Sequence, residues 1–345
     1  MKYILFFIPV FFLLSCGDVQ PNKAKVQNLD SLLVLYPDSI PLLVQHGNKM
    51  IKDYNFEKAI ADGAKAFRLD SNNLDARMLY AEVLNNRPTR TFSDVSIAQR
   101  HFLYIIKTQP KNTKAYVSLA TTYSQQQNFD LSFKYINAAL RIDPKYRDAY
   151  VLKGTNYLHT NQIELAKSSY QTAVEQDSKF FEAYLMLGSI YQAEKNELCM
   201  EYYTTARKLQ PKNVDVLYAI AYAKQEFNHL NEAKQIYRQM IEMDTAYSQA
   251  LFQQGYIQQW LEPSKTQEEA QRNLDSAIYF YNSTIRTAPN YVEAWHNLGV
   301  CYMNRHTKMT LEDKTKALKS FSQALKFDPN FALSRELAEK LKKLR

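Results

Sequence analysis

The side chains that could carry out chemistry are few in this chain and lie far apart in its sequence. The 345 residues include three cysteines and six histidines, and the histidines are isolated from one another. A zinc or redox site needs ligands at closer spacing. Nucleophilic catalysis needs a Ser, Cys or Thr beside a base, and phosphate binding uses a glycine-rich loop, but the seven glycines form no such loop. The sequence therefore predicts no catalytic residue, no metal site and no cofactor, and we expect a protein that is not an enzyme.

One cysteine, Cys16, follows an apolar segment near the start of the chain. Lys2 precedes an apolar run from residue 4 to residue 14, and Ser15 stands directly before the cysteine. A run of this length is too short to cross a membrane, and its flanks are typical of a secretory signal. The four residues that end in Cys16, Leu-Leu-Ser-Cys, resemble a bacterial lipobox.

The lipobox resemblance implies cleavage before Cys16 and attachment of acyl chains, such as palmitate, to that residue. Two or more acyl chains hold a protein stably on a membrane. We therefore interpret residues 1–15 as a lipoprotein signal peptide and residues 16–25 as a lipidated tether. The alternative is an ordinary signal peptide with a coincidental cysteine. The interpretation places the protein in the cell envelope. The resemblance implies inner-membrane retention in enteric bacteria when an aspartate follows the cysteine, and Gly17 stands there instead, so the outer membrane is slightly favoured over the outer face of the cytoplasmic membrane.

The formal net charge of +8 raises the question of a nucleic acid partner. The basic residues are scattered along the chain, and export would remove the protein from the compartment that holds nucleic acid. We expect a solvated helical surface and no nucleic acid partner. The two remaining cysteines, Cys199 and Cys301, are interpreted as small buried apolar residues.

The rest of the chain repeats with a period near 34 residues. Ser71 lies 34 residues after Pro37, and Pro144 lies 34 residues after Pro110. A small residue is followed twelve positions later by Pro, Ser or Thr in eight pairs: Ala59/Ser71, Ala98/Pro110, Ser132/Pro144, Ala166/Ser178, Cys199/Pro211, Ala233/Thr245, Ala277/Pro289 and Ala317/Pro329. A fixed period of this size indicates stacked structural repeats.

Each repeat predicts two helices. In the repeat that begins at Thr113, Tyr116, Leu119, Ala120 and Tyr123 recur at the spacing of one apolar helix face. A second apolar helix is predicted from residue 131 to residue 142. Two helices of this length bury their apolar faces only when neighbouring pairs stack on them.

This pattern resembles the tetratricopeptide repeat (TPR) over residues 40 to about 331. The last repeat carries the most family positions: Trp295, Leu298, Gly299, Tyr302, Ala317, Phe321, Ala324 and Pro329. Among the departures, Arg77 occupies an aromatic position. The resemblance implies an all-α, right-handed superhelical solenoid of antiparallel helix pairs, in which the first helix of each pair lines a concave groove.

We predict an N-terminal capping helix at 26–39 and a C-terminal capping helix at 332–345. Between them we predict eight repeats at 40–73, 74–112, 113–146, 147–180, 181–213, 214–247, 248–291 and 292–331. Three repeats, the second, seventh and eighth, carry additional residues between their helices. In the second repeat, Arg87 and Arg90 are candidate partner contacts, although a neutral insertion is the alternative. The insertion at 262–273 is predicted to extend a second helix.

The family resemblance also identifies candidate groove positions. None of the sixteen positions at the fifth and ninth places of the repeats is Lys or Arg, so the resemblance does not imply recognition of a C-terminal carboxylate. Aromatic residues with polar neighbours are typical anchors of a binding surface. The candidate groove residues are Tyr218, Tyr222, Phe252, Tyr256, Trp260, Gln225 and Gln259. The alternative is that these side chains pack against the protein's own helices.

We interpret the chain as a membrane-anchored TPR lipoprotein of the bacterial cell envelope. It is expected to act as a protein–protein interaction scaffold or adaptor that binds a partner protein or peptide in its groove. The alternative is an envelope lipoprotein that binds a small molecule such as a glycan, because aromatic rings also stack on sugars.

Overall fold

The structure is a computed structural model that describes residues 28–306 and 308–343. The predicted signal peptide, Cys16 and the predicted tether lie outside the described residues.

Every regular element in the described residues is helical, which confirms the predicted all-α fold. The helices are α1 (Leu29–Leu35), α2 (Ile40–Lys52), α3 (Phe56–Leu69), α4 (Leu74–Asn86), α5 (Phe92–Thr108), α6 (Thr113–Gln125), α7 (Phe129–Ile142), α8 (Arg147–His159), α9 (Ile163–Gln176), α10 (Phe181–Ala193), α11 (Cys199–Leu209), α12 (Val214–Glu226), α13 (Leu230–Met243), α14 (Ser248–Tyr256), α15 (Gln267–Thr287), α16 (Val292–Asn304), α17 (Leu311–Phe327) and α18 (Ala332–Lys343). A π-helical segment, Ile257–Leu261, directly follows α14.

The chain divides into two compact units, Met1–Ser178 and Lys179–Arg345, which we call the N-terminal unit and the C-terminal unit. In both units consecutive helices pack as pairs, for example α6 with α7 and α12 with α13. The first helix of a pair also contacts the first helix of the next pair, as α6 contacts α8 and α10 contacts α12. Each unit is therefore a stack of helix pairs.

Tight turns join the two helices of a pair where no additional residues are present. In the described part of the chain, these turns place a non-glycine residue in the left-handed region, with φ between 55° and 63°, at Tyr54, Gln127, Asn161, Lys195 and Asn228. The backbone N–H of the next residue donates a hydrogen bond to a carbonyl of the first helix, as the Asn128 N–H does to the Tyr123 carbonyl at 2.9 Å. This pattern closes a helix C-terminus and reverses the chain within a few residues.

Glycines on four first helices allow an aromatic ring of the second helix to approach the backbone. The pairs are Gly154 with Tyr170, Gly188 with Tyr203, Gly255 with Tyr281 and Gly299 with Phe321. A Cβ atom at these glycines would lie between 2.4 and 2.9 Å from the facing ring. The ring and the glycine together set how closely the two helices pack. Repeats 2 and 6 pair an alanine with a ring instead, Ala81 with Phe102 and Ala221 with Tyr237, and all four residues are buried.

Arg77, which replaces an expected aromatic residue, takes over the packing role of a ring. Its guanidinium lies 3.7 Å from the centre of the Tyr104 ring and 5.0 Å from that of Phe67. One of its N–H groups donates to Nδ1 of the buried His101 at 3.0 Å. A planar cation that stacks on rings can therefore occupy this aromatic position.

The insertion predicted at 262–273 does extend a second helix. α15 begins at Gln267 and runs for 21 residues. Thr266 caps its N-terminus by accepting a hydrogen bond from the Glu269 N–H at 3.1 Å. The prediction is confirmed from Gln267 onward, and the residues before it form the connection from the π-helical segment.

The glycine–ring contacts predict the effect of adding one methyl group. Gly188→Ala is expected to destabilise the protein by about 1–3 kcal/mol, because the new Cβ would lie 2.4 Å from Cε1 of Tyr203. In repeat 3 the two equivalent positions are occupied by Ala120 and Ile136, which are both fully buried. The double variant Gly188→Ala/Tyr203→Ile should therefore be more stable than the sum of the single variants predicts. Denaturant unfolding followed by circular dichroism measures this, and strict additivity would contradict the packing argument.

His101 makes the stability of the N-terminal unit depend on pH. Burial lowers the pKa of His101 from 6.5 to about 4, and the charges of Arg77 and Arg100 add to this effect. Since the folded pKa lies below the unfolded one, the unfolded chain binds a proton first as the pH falls. The stability contributed by neutral His101 is present above pH 6.5 and is lost as the pH falls toward 4.

His101→Gln, which stays neutral and keeps a hydrogen-bond acceptor, isolates this contribution from that of the carboxyl groups. We expect the variant to lose less stability than the wild-type protein between pH 7 and pH 4.5, as measured by unfolding midpoints at both pH values. Equal losses in the two proteins would show that His101 is not responsible.

Candidate functional site

The candidate groove residues of α12 lie side by side on one helix face. Tyr218 and Tyr222 are four residues apart, and their rings are nearly parallel at a centroid distance of 6.1 Å. Both rings are partly exposed. Burial raises the pKa of Tyr222 to about 12, with further contributions from Glu226, Tyr218 and Tyr256. Tyr256 lies on α14, the first helix of the next repeat, and is also partly exposed.

Phe252 differs from the prediction, because it is a core residue. It is only 9% exposed, and its ring packs 4.9 Å from Tyr291 and 5.6 Å from Tyr281. The expectation that this ring is exposed in the groove is therefore wrong. Its neighbour Tyr256, with a ring 6.3 Å away, remains partly exposed.

Gln225 also departs from the prediction of a surface contact, since it is 7% exposed. Its amide donates to Oε1 of Gln253 at 3.1 Å, and the Gln253 amide donates to the Tyr218 hydroxyl at 3.1 Å. Oε1 of Gln225 is buried without a hydrogen-bond partner. Gln225 and Gln253 therefore support Tyr218 from beneath, and the Tyr218 hydroxyl keeps its own hydrogen for another acceptor.

The first helix of repeat 7 ends in the π-helical segment, which the sequence pattern did not predict. The Glu262 N–H bonds to the Ile257 carbonyl at 2.7 Å, five residues back. Within the segment, Gln259 Oε1 accepts a hydrogen bond from the Tyr281 hydroxyl at 2.8 Å, and Trp260 is 53% exposed. Such segments are frequent at functional sites. The segment presents Trp260 to solvent next to the aromatic residues of α14.

Two further tyrosines belong to this surface and were missed in the sequence. Tyr247 and Tyr291 are the residues directly before α14 and α16. Burial raises the pKa of Tyr291, and the Tyr218 and Glu293 charges add to it. The Tyr291 ring stacks on Phe252 at 4.9 Å. Burial also raises the pKa of Tyr247, and the Asp215 charge adds to it. The prediction missed them because it considered only the family's groove positions. Their shared place as the last residue of repeats 6 and 7 is the signal that could have identified them.

We call this surface of the C-terminal unit the tyrosine face. It consists of Tyr218, Tyr222, Tyr247, Tyr256, Tyr291 and the adjacent Trp260. It lies on the first helices of repeats 6 and 7 and on the residues that directly precede the first helices of repeats 7 and 8. Its floor is the buried layer formed by Phe252, Gln225 and Gln253.

The predicted loop contacts in repeat 2 have different environments. Arg87 donates a hydrogen bond to Oδ2 of Asp94 at 2.5 Å. Burial alone would raise the pKa of Asp94, but its bonds to Arg87 and Thr91 lower it overall. Arg87 therefore stabilises its own loop, which contradicts its prediction as a free contact. Arg90 is exposed.

No group of three or more His, Cys, Asp or Glu residues in the described part of the chain is placed to hold a metal ion. In that same part of the chain, no helix is long and apolar enough to span a membrane.

Comparisons with known proteins identify the repeats. The family model described as tetratricopeptide repeat matches residues 113–146, 148–180 and 214–247. A search of the curated proteins found no match.

Several solved structures have a similar fold. A chain of the human IFIT1 dimer with m7Gppp-AAAA matches with a TM-score of 0.63 and 16% identity, over 92% of this chain and 76% of that chain. A chain of the APC/C hetero-tetramer Cut9–Hcn1 matches with a TM-score of 0.59 and 16% identity, over 91% of this chain. This chain spans 57% of the length of that relative. The C-terminal part of a TPR repeat-containing protein from Cytophaga hutchinsonii matches with a TM-score of 0.53 and 17% identity, over 74% of this chain and 97% of that chain.

At these identities the structural matches establish the fold, and the family model establishes the repeat type. The helix pairs at residues 113–146, 148–180 and 214–247 are therefore tetratricopeptide repeats, and the chain has the all-α fold of proteins that are built from such repeats.

Proposed function

We propose that this protein is a membrane-anchored TPR lipoprotein that serves as a non-catalytic interaction scaffold in the bacterial cell envelope. It binds a partner protein or peptide on the tyrosine face. The observation that carries the proposal is the row of partly exposed rings on consecutive first helices, supported by a buried amide network.

The construction of the tyrosine face suits protein binding. Tyr and Trp supply large contact areas and lose little side-chain entropy on binding. Tyr218 is already held by Gln253, and the floor residue Phe252 is fixed between Tyr281 and Tyr291. A surface that is ordered before binding loses less entropy when the partner arrives. The relative named Cut9–Hcn1 is a hetero-tetramer, which is in line with a protein partner.

The membrane anchor is proposed from the lipobox-like residues that end in Cys16. Acyl chains on Cys16 would attach the repeats to a membrane, and the outer membrane is the proposed site. The repeats would then display the tyrosine face at the membrane surface.

Labelling with a fatty-acid analogue tests the anchor directly. We expect the wild-type protein to incorporate the label and to sediment with membranes, and Cys16→Ser to lose both properties. Cys199→Ser is the matched control, because Ser132 already occupies the equivalent position of repeat 3 and Cys199 is buried. Label that persists in Cys16→Ser would refute lipidation at this residue.

Removing two rings of the tyrosine face tests the interaction surface. Tyr222→Ala/Trp260→Ala is expected to lose its bound partners in affinity capture from solubilised membranes, because both side chains lie at the surface and support no core. Tyr279→Ala is the control, since Tyr279 is 63% exposed but lies on the second helix α15. Quantitative comparison of the captured proteins gives the result. If the double variant retains every partner, the tyrosine face is not the binding site.

A glycan is the second candidate ligand, and the 53% exposure of Trp260 favours it. A sugar would need only the local rings of Trp260 and Tyr256, whereas a peptide should contact several successive repeats. Loss of binding in Trp260→Ala with normal binding in Tyr218→Ala would support the glycan over the peptide.

A further inference from the structure

The first helices of the C-terminal unit are poor in cations. The helices α10, α12, α14 with its π-helical segment, and α16 contain one lysine, Lys224, and no arginine. The whole chain, in contrast, has 43 Lys and Arg against 35 Asp and Glu. The first helices of the N-terminal unit follow the general trend, because they carry Lys49, Lys52, Arg77, Lys114, Arg147 and Lys153.

Two cations on these helices or directly after them form ion pairs with acidic residues of second helices. Nζ of Lys224 donates to Oε2 of Glu232 at 2.6 Å. Arg305, directly after α16, donates through Nε to Oδ1 of Asp275 at 3.1 Å. Neither cation is therefore available to neutralise the tyrosine face.

The same first helices carry four carboxylates, Glu182, Asp215, Glu226 and Glu293. Four carboxylates and one lysine give these helices a formal charge of −3. Acidic residues in a first turn also favour the helix N-terminus, which accounts for a part of this pattern. That effect explains the carboxylates but not the shortage of cations, which distinguishes these helices from those of the N-terminal unit.

Asp215 and Glu293 lie in the first turns of α12 and α16. Both side chains are exposed, and neither forms an ion pair in the described part of the chain. Tyr247 and Tyr291 directly precede α14 and α16, so these tyrosines lie at the same end of the first helices as the two carboxylates. The Asp215 charge adds to the raised pKa of Tyr247, and the Glu293 charge adds to that of Tyr291.

We propose that the partner segment bound by the tyrosine face is a basic peptide, whose Lys or Arg side chains meet Tyr247, Tyr291 and the carboxylates of Asp215 and Glu293 at the N-terminal ends of the first helices. This inference rests on the proposed function and names the chemistry of the partner. Ring faces attract cations, and a lysine or arginine in this place also meets two carboxylates. An acidic segment would meet repulsion from both carboxylates, so charge selects the partner.

The buried amide network gives this position its rigidity. Gln225, through Gln253, fixes the Tyr218 hydroxyl, which then keeps its hydrogen for a backbone carbonyl of the peptide. Beyond this point, Tyr222, Tyr256 and Trp260 continue the surface for the apolar parts of the segment. The basic side chain therefore defines one end of the contact.

Two fluorescent peptides of twelve residues, one alternating Lys with Gly and the other alternating Glu with Gly, test the inference. Fluorescence anisotropy with the full chain in detergent should show binding of the lysine peptide and none of the glutamate peptide. Asp215→Asn/Glu293→Gln should weaken the lysine peptide by roughly ten-fold, since two partly exposed ion pairs are removed. Glu201→Gln/Glu242→Gln is the control, because it changes the net charge equally on the second helices α11 and α13. That control should stay within about two-fold of wild type.

Each other outcome overturns the basic-peptide inference. These are no binding of the lysine peptide, equal binding of both peptides, or an equal loss in the control variant. Circular dichroism melting of the two charge variants verifies that both are folded. This test and the test of the proposed function can fail independently. If Tyr222→Ala/Trp260→Ala loses its captured partners while the lysine peptide does not bind, the tyrosine face remains the binding site and only the preference for a basic peptide is wrong.

Discussion

The contact on which the fold depends is the approach of a second-helix side chain to a small residue of the first helix. At Gly188 the facing Tyr203 ring is so close that even a methyl group would overlap it. Helix axes at such short distances require small residues where the backbones meet. Because this contact uses one side of the first helix, its other side is free to vary from repeat to repeat. The binding surface is possible for this reason.

The tyrosine face exists because repeats 6 to 8 use that freedom in a consistent way. Partly exposed rings stand on consecutive first helices, and buried amides hold Tyr218 in place. In repeat 7 the π-helical segment accommodates part of the long connection to α15 and leaves Trp260 half exposed. The irregular backbone of this segment directly follows Tyr256 and carries Trp260, so it places two rings of the tyrosine face close together in sequence.

The sequence predicted the repeats and the helix pairs because their small and aromatic residues recur at fixed spacing. It predicted the site less well, since a repeat position defines the direction of a side chain but not what covers it. Phe252 was assigned to the surface, yet Tyr291 of the connection to repeat 8 packs over it. Arg87 was assigned to a partner, yet Asp94 within its own insertion binds it. The π-helical segment has no periodic signal. Arg77 is the opposite case. It departs from the aromatic residue that the family pattern expects, yet its guanidinium packs on Phe67 and Tyr104.

Charge distribution carries more information about this protein than its net charge. A formal charge of +8 suggests an acidic partner, but cations such as Lys224 and Lys234 are directed to Glu232 and Glu262. The carboxylate of Asp215 is exposed in the first turn of α12 and has no such partner in the described part of the chain. An exposed carboxylate beside ring faces attracts a cation and repels an anion. A basic ligand is therefore favoured over an acidic one, and the surface discriminates by charge in addition to the shape of the partner.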